Sequence, residues 1–376
     1  MKKINVVVQG LMYGNSGFAT ATRNIAYELS KHVNVKCFVM DDDNIDILKT
    51  KKGKTIRELS KKTITKTPIW ITMTHPLGIA PNCGYSVGYA MFETEHFPAP
   101  YVKNLSKQNE VWTPSTFNVE NMTRAGLGNV HLMPLGVDMK VFNYKKKPIR
   151  IGKTPGRNNF VFLSIMGWSA RKGVEVMVRA FCEAFTANDN VTLYLKGGWY
   201  DEWAAKVEVE NIKRLFNNAP NIVVDFKTYT IKELPGLYSA CDCFVLASLG
   251  EGWGLNYTEA MAMKKPVIAT RWSSQLDYLN DENSYLIDLE KREPLKVCPN
   301  ADWICVEYKD QKFANPSVRN LRMQFRKVFE DRKEATEKAQ KAYRDVKKYT
   351  WEKSVEKMLK RIKEIDKKMI KKKVKL

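Results

Sequence analysis

Two carboxylates frame the densest group of chemically capable residues in this chain. They lie in Ser248-Leu249-Gly250-Glu251-Gly252-Trp253-Gly254-Leu255-Asn256-Tyr257-Thr258-Glu259-Ala260-Met261-Ala262, where Glu251 and Glu259 bracket two glycines. An apolar run at 243–247 leads into the cluster and a helical pattern leads out of it, ending before Lys265-Pro266. Gly252 and Gly254 let backbone approach a ligand with no Cβ in the way. The unpaired N–H groups and positive dipole end of the new helix suit phosphate or sugar oxygens. An ionised carboxylate only accepts hydrogen bonds, and the hydroxyls of ribose and hexose supply donors. A capped helix with two solvated glutamates fits the same letters, and a Gly-rich strand–helix turn is common. On these residues alone both readings stand.

The elements that would position this turn follow a regular plan. Apolar runs at 4–9, 35–40, 69–73, 86–91, 110–113 and 130–133 read as strands, and a helical pattern covers 19–29 behind Gly10, Gly14 and Gly17. A second series of strands is read at 160–165, 191–195, 222–226, 243–247, 267–270 and 285–287. Alternating strands and helices predict parallel sheets with helical crossovers. Residues 144–159, with Pro148, Gly152, Pro155 and Gly156, read as a linker. The expectation is therefore an α/β protein with two doubly wound, Rossmann-like domains facing across a cleft. Their bounds are 1–150 and 151–350, with ligands at the carboxyl ends of the strands. Residues 351–376 form a third segment, a helix with apolar residues at Val355, Met358, Leu359, Ile362 and Ile365, and then a basic tail.

Composition narrows the function classes. A chain of 376 residues with 44% hydrophobic and 27% charged residues is globular, with length for two cores. No apolar run reaches the ~18 residues of a spanning helix. The opening Met-Lys-Lys-Ile-Asn-Val-Val-Val-Gln-Gly reads as a first strand and not as a leader, which predicts a cytoplasmic protein, with peripheral attachment to a membrane surface as a further option. Seven scattered cysteines make no disulfide framework, and Cys241 and Cys243 read as buried small hydrophobes. His32, His75, His96 and His131 lack metal spacing, and the run Asp41-Asp42-Asp43 has no evident partner ligands. No metal and no cofactor is expected. A net charge of +21 implies either a diffuse lysine-rich surface or attraction to a polyanion, DNA or an anionic membrane surface, with Lys371-Lys372-Lys373-Val374-Lys375 as the densest basic run.

From Glu251 to Ala269 the sequence resembles the signature of the large family of retaining GT-B glycosyltransferases that includes sucrose synthase and many bacterial mannosyl- and glucosyltransferases. That signature runs E-G-[FW]-G-L-x-x-x-E-A-M-A-x-x-x-P-V-I-A. The likeness extends to Leu237-Tyr238-Ser239-Ala240-Cys241-Asp242, to Phe162-Leu163 through Arg171-Lys172-Gly173, to Trp112-Thr113-Pro114-Ser115 and to Pro134-Leu135-Gly136-Val137-Asp138. It implies a GT-B fold and transfer of a hexose from a nucleotide-diphosphate sugar, with retention and without a metal, to an acceptor hydroxyl on a glycan, lipid or protein. By the same resemblance Glu259 would bind the donor ribose and Glu251 the transferred sugar. Gly252, Trp253, Gly254 and Leu255 would hold sugar and phosphate through their backbone. Lys172 would stabilise the diphosphate as it leaves. The last helix would return to the N-terminal domain.

The sequence departs from the family at one place. The arginine usual after the first glycine of this domain is absent, since Gly167 is followed by Trp168, Ser169 and Ala170. Arg171 or Lys196 would have to substitute, and helical neighbours such as Arg171 and Lys172 diverge by about 100° and need not both reach. In the first domain, the loop Gly14-Asn15-Ser16-Gly17 is either a plain tight turn or a contact to diphosphate or acceptor. His75 ends a strand, and the related enzymes have a histidine near the reacting carbon. Glu93 resembles an acceptor-side residue, and Glu95 reads as solvated. Two alternatives come from other classes: a glycosyltransferase acting on hydroxylated bases in DNA, and a non-catalytic GT-B-like protein that binds nucleotide or nucleic acid. The intact Glu251, Glu259 and Lys172 oppose the second, and no nucleic-acid-binding motif is present.

Overall fold

The computed structural model describes residues 4–64, 66–80, 83–151, 159–294 and 311–374. Gly152, Pro155 and Gly156 of the expected linker and Lys375 of the tail lie outside the described residues. The chain divides into two compact units. One holds Met1–Phe92, His96–Gly136 and Lys348–Leu376, and the other Glu93–Glu95 and Val137–Lys347.

The first unit is built on six strands: β1 (Asn5–Gly10), β2 (Asn34–Val39), β3 (Ile69–Met73), β4 (Tyr85–Tyr89), β5 (Glu110–Thr113) and β6 (Val130–Leu132). They pair in parallel in the order β2-β1-β3-β4-β5-β6. Val6, Val7 and Val8 are all buried, the mark of a strand covered on both faces. The order reverses between β1 and β3, and the crevice at a doubly wound sheet's carboxyl edge opens at such a reversal.

The second unit repeats the plan with β7 (Phe160–Ile165), β8 (Val191–Lys196), β9 (Asn221–Asp225), β10 (Cys243–Leu246), β11 (Val267–Thr270) and β12 (Tyr285–Ile287). Their order is β12-β11-β10-β7-β8-β9, again all parallel, so the reversal falls between β7 and β10. Phe160 and Phe162 meet Phe181, Phe185, Phe325 and Phe329 at ring-centroid distances of 4.9 to 6.0 Å. This fixes the helices Val174–Ala184 and Val318–Glu330 on the sheet. A short antiparallel pair, β13 (Leu289–Pro294) and β14 (Lys312–Pro316), follows.

Both doubly wound halves read from the sequence are therefore present. The bounds of β3, β5, β7, β11 and β12 coincide with the expected ones, and the other ends move by one or two residues. Cys241 and Cys243 are buried beside and within β10, as expected of small hydrophobes. No helix among the described residues is long and apolar enough to cross a membrane.

The terminal helix Trp351–Val374 packs on the first unit, against the helix Gly17–Ser30. It buries Val355, Met358, Leu359, Ile362 and Ile365. Arg361 donates from Nε to both carboxylate oxygens of Glu110, at 3.1 and 3.0 Å. Glu110 is 1% exposed. Burial alone would raise its pKa, but hydrogen bonds from Arg361, Tyr85 and Trp112 outweigh it and hold the carboxyl below its ordinary value. Removing one partner of a buried pair strands the other charge. Arg361→Ala should therefore cost about 3 kcal/mol in urea unfolding, and a Glu110→Gln, Arg361→Met double variant should recover part of that loss. Unchanged stability in Arg361→Ala would show that apolar packing alone holds the helix.

Candidate active site

At the reversal point of the second sheet, the turn after β7 presents two cations. Residues Ala170–Lys172 form one 3₁₀ turn, closed by Gly173 at φ +69°. A Cβ on Gly173 would lie 2.0 Å from the Ala247 carbonyl oxygen, so only glycine fits where this turn passes β10. The Leu249 N–H donates to the Arg171 carbonyl at 2.7 Å and stitches the turn to the motif loop.

Both cations converge on Glu251. Lys172 Nζ lies 2.5 Å from Oε1, and Arg171 Nη1 lies 3.6 Å from the same oxygen. Arg171 also donates to the Gly250 carbonyl at 2.6 Å and lies 3.4 Å from Glu93 Oε1. The expected divergence of adjacent helical side chains therefore does not keep them apart. Neighbours on a 3₁₀ turn diverge no less than on an α-helix, but the motif loop is stitched to this turn at Leu249 and Gly250, so Arg171 and Lys172 both reach one carboxylate. Ser248 Oγ lies 2.7 Å from Glu251 Oε1, and the Glu251 backbone N–H donates to Ser273 Oγ at 3.0 Å. Ser274 Oγ donates to the Glu251 carbonyl. Burial pushes the Glu251 pKa up, but Lys172 and Arg171 outweigh it, so the carboxyl sits below its ordinary value and is ionised. Burial also lowers the pKa of Lys172, against the pull of Glu251.

The glycines then turn the chain into a helix. Gly254 has φ +84°, and a Cβ there would meet the Tyr257 ring at 2.6 Å. Leu255 opens the helix Leu255–Ala262. Trp253 is buried against Tyr278 at 4.9 Å between ring centroids, and its carbonyl accepts from the Tyr278 hydroxyl at 2.5 Å. Gly252 is buried beside it. Asn256 Nδ2 donates to the Ile165 carbonyl at 2.5 Å, which seats the helix on the end of β7.

Glu259 is as deeply buried as Glu251 and differs in its partners. It is 8% exposed, and Tyr238, at 2.8 Å, is the only side chain among the described residues that hydrogen-bonds it. Burial pushes its pKa up to about 8, against the smaller pull of the Tyr238 hydrogen bond.

The first unit places its candidates at its own reversal point, on the loops after β1 and β3. Asp41 accepts from the backbone N–H groups of Met12, Tyr13 and Gly14 at 2.6, 2.8 and 2.6 Å. Buried Arg23 donates to the carbonyls of Met12 and Gly14 at 2.6 and 3.1 Å. The N–H groups of Met12, Tyr13 and Gly14 are thus taken up from within and are not offered to a ligand. Ser16 caps the helix that Gly17 begins, accepting from Ala19 at 3.1 Å. His75 Nδ1 accepts from Leu77 N–H at 3.4 Å, and its Nε2 lies 3.0 Å from the Tyr101 hydroxyl.

Glu93 was expected on the acceptor side. It groups with the second unit, beside Arg171, and a Cβ on Gly250 would lie 2.3 Å from its carbonyl oxygen. Lys196, the alternative second cation, donates to the Gly197 carbonyl at 2.6 Å. No group of three His, Cys, Asp or Glu side chains among the described residues is arranged to hold a metal ion. Sequence reasoning missed Asp41 as the clamp of the loop, and Ser273 and Ser274 as the supports of Glu251. The two serines follow β11 at the carboxyl edge of the sheet, and that position was their one available signal.

Residues 157–296 match the family model of the glycosyl transferases group 1. The fold is that of solved glycosyltransferases of the GT-B type. A sucrose-phosphate synthase from Thermosynechococcus elongatus superposes with a TM-score of 0.70 at 15% identity, over 96% of this chain and 99% of that one. HepE of Anabaena, in complex with UDP and glucose, gives 0.67 at 13% identity, over 96% and 100%. A glycosyltransferase from Rickettsia africae gives 0.66 at 16% identity, over 97% and 98%. No curated protein sequence matches the chain.

The state of Glu259 has a measurable consequence. Its folded pKa, about 8, lies above the unfolded value near 4.5, so its contribution is fully present below about pH 4.5 and is lost as pH rises through 8. Glu259→Gln removes this titration. The stability of the wild type relative to that variant should fall by several kcal/mol, on the order of 3–5, between pH 5 and pH 9 in chemical denaturation. Parallel profiles for the two proteins would mean that Glu259 is ionised at ordinary cost.

Proposed function

We propose that this protein is a retaining, metal-independent hexosyltransferase that moves a hexose from a nucleotide-diphosphate sugar to an acceptor hydroxyl on a glycan, lipid or protein. The observation that carries the reading is the convergence of Arg171 and Lys172 on Glu251 at the carboxyl edge of the second sheet, inside the segment that matches the group 1 glycosyl transferases. The complexes of HepE with UDP and glucose and with UDP-glucose make a uridine nucleotide the first donor to test.

On this reading, Lys172 and Arg171 receive the diphosphate. Negative charge on the leaving phosphate grows as the bond from the anomeric carbon to its oxygen breaks, and fixed cations stabilise it most at that point. Glu251, kept ionised, accepts hydrogen bonds from sugar hydroxyls, and the backbone at Gly252, Trp253, Gly254 and Leu255 lines the sugar and its phosphate. Glu259 accepts from the ribose hydroxyls. The acceptor oxygen forms its bond on the face from which the nucleotide diphosphate departs, its proton passes to the departing phosphate oxygen, and the products are a glycoside and a nucleoside diphosphate. Two side-chain cations supply the positive charge that a divalent ion would otherwise bring. In the first unit, His75 and Gly17 remain the candidates for roles toward sugar and diphosphate. Glu93 has the weaker claim to an acceptor role, since it shares Arg171.

The first test is a donor-hydrolysis screen across nucleotide sugars, which needs no acceptor. One sugar nucleotide should be hydrolysed slowly, and Glu259→Ala should weaken its binding in calorimetry with the fold intact. Lys172→Ala should lower turnover about a hundred-fold while donor affinity falls less than about ten-fold. Full turnover in Lys172→Ala would pass the diphosphate role to Arg171. Activity should also survive excess EDTA, whereas loss in chelator and recovery with magnesium or manganese would overturn the metal-independent reading.

A further inference from the structure

We infer that Trp199 is a stacking platform for the nucleobase of the donor, an inference that rests on the donor-site reading above. Trp199 follows Lys196-Gly197-Gly198 at the carboxyl end of β8, the strand next to β7 on the side away from β10. The segment is not loose. Met166 N–H donates to the Lys196 carbonyl at 3.0 Å and Trp168 N–H to the Gly198 carbonyl at 2.7 Å, while Gly197 N–H donates to Asp225 at 2.8 Å. A Cβ on Gly197 would lie 2.5 Å from the Phe226 ring and 2.9 Å from Trp168, so the chain lies directly on two aromatic rings.

From this fixed bed Trp199 turns outward. Its φ is +64°, a left-handed conformation that a bulky side chain adopts at a cost, and its indole is 80% exposed. An indole left in water recovers little through burial, and backbone strain of this kind persists where the surroundings impose it and gathers at ligand sites. A Cβ on Gly167 would lie 3.5 Å from the indole Cδ1. Gly167 opens the turn that ends in Arg171 and Lys172.

A flat π surface therefore stands at the rim of the strand ends that carry the diphosphate cations. Glu259, the proposed ribose ligand, lies about one turn along the helix that Asn256 seats on the end of β7. A nucleoside diphosphate with phosphates at Lys172 and ribose at Glu259 can extend its base over β7 toward β8, where the exposed indole lies. Every base has a π face, so such a platform adds affinity without choosing the base.

The test measures binding of UDP, ADP, GDP and inorganic pyrophosphate by calorimetry. Trp199→Ala should weaken the preferred nucleotide about ten-fold and leave pyrophosphate unchanged, because only the nucleotide carries a base. Trp199→Tyr should retain most of the nucleotide affinity. Trp199→Gly should lose as much affinity as Trp199→Ala but melt at the same or a higher temperature, since glycine accepts the positive φ. The inference is overturned if Trp199→Ala binds the nucleotide as tightly as wild type, or loses nucleotide and pyrophosphate alike. If the wild-type protein binds none of the three nucleotides, the donor-site reading itself fails, and the platform with it.

Discussion

The buried contact between Lys172 and Glu251 is the constraint on which the site depends. Taking an ammonium and a carboxylate out of water is costly, and their mutual attraction offsets that cost only when the geometry is good and the remaining polar atoms are satisfied. The second unit supplies both conditions. The Glu251 carboxylate has Lys172, Arg171 and Ser248 around it, and its backbone is held by Ser273 and Ser274. They come from the carboxyl ends of three strands: Arg171 and Lys172 after β7, Ser248 after β10, and Ser273 and Ser274 after β11. The contact can exist only because β10 lies beside β7, out of sequence order, and because Gly173 lets the turn after β7 pass against Ala247. The fold and the charge cluster thus explain each other.

What the sequence made legible follows from the range of the physics involved. Apolar runs bounded by turn residues are local, and they were enough to recover two six-stranded parallel sheets and the amphipathic face of the terminal helix. The motif turn was legible for the same reason, since strand, glycines and helix are contiguous. Side-chain convergence is not local. Arg171 and Lys172 were judged by the angle between helical neighbours, whereas what brings them to one carboxylate is the motif loop, distant in sequence and bonded to their turn. Asp41 was weighed only as part of an acidic run without metal partners, yet β2 lies beside β1, and the two loop ends come close enough for three backbone donors to share its carboxylate. Glu93 was read as acceptor-side by resemblance, and in the structure it groups with the second unit.

The two glutamates of the motif show how seven intervening residues separate two electrostatic fates. Glu251 precedes the left-handed turn at Gly254 and faces the cations, which hold its carboxyl below the ordinary value. Glu259 lies beyond the turn on the buried side of its helix, with one hydroxyl as partner and a pKa near 8. One carboxylate is stabilised by the protein. The other is left incompletely satisfied by it.

That incomplete satisfaction has a physical meaning that the fold alone does not supply. A buried carboxylate with a single neutral donor is a standing cost, and additional hydroxyl donors would reduce it. A tryptophan at positive φ with its indole in water is a second such cost, and a stacked planar ligand would reduce that one. On the donor-site reading both are relieved by parts of the same molecule, the ribose and the base, while the ion pair at Glu251 is already satisfied before any ligand arrives. The second unit then holds its phosphate end preorganised and its nucleoside end under strain. Binding energy for the nucleotide comes from relief of that strain, whereas the cations keep their differential effect for the charge that develops on the leaving phosphate.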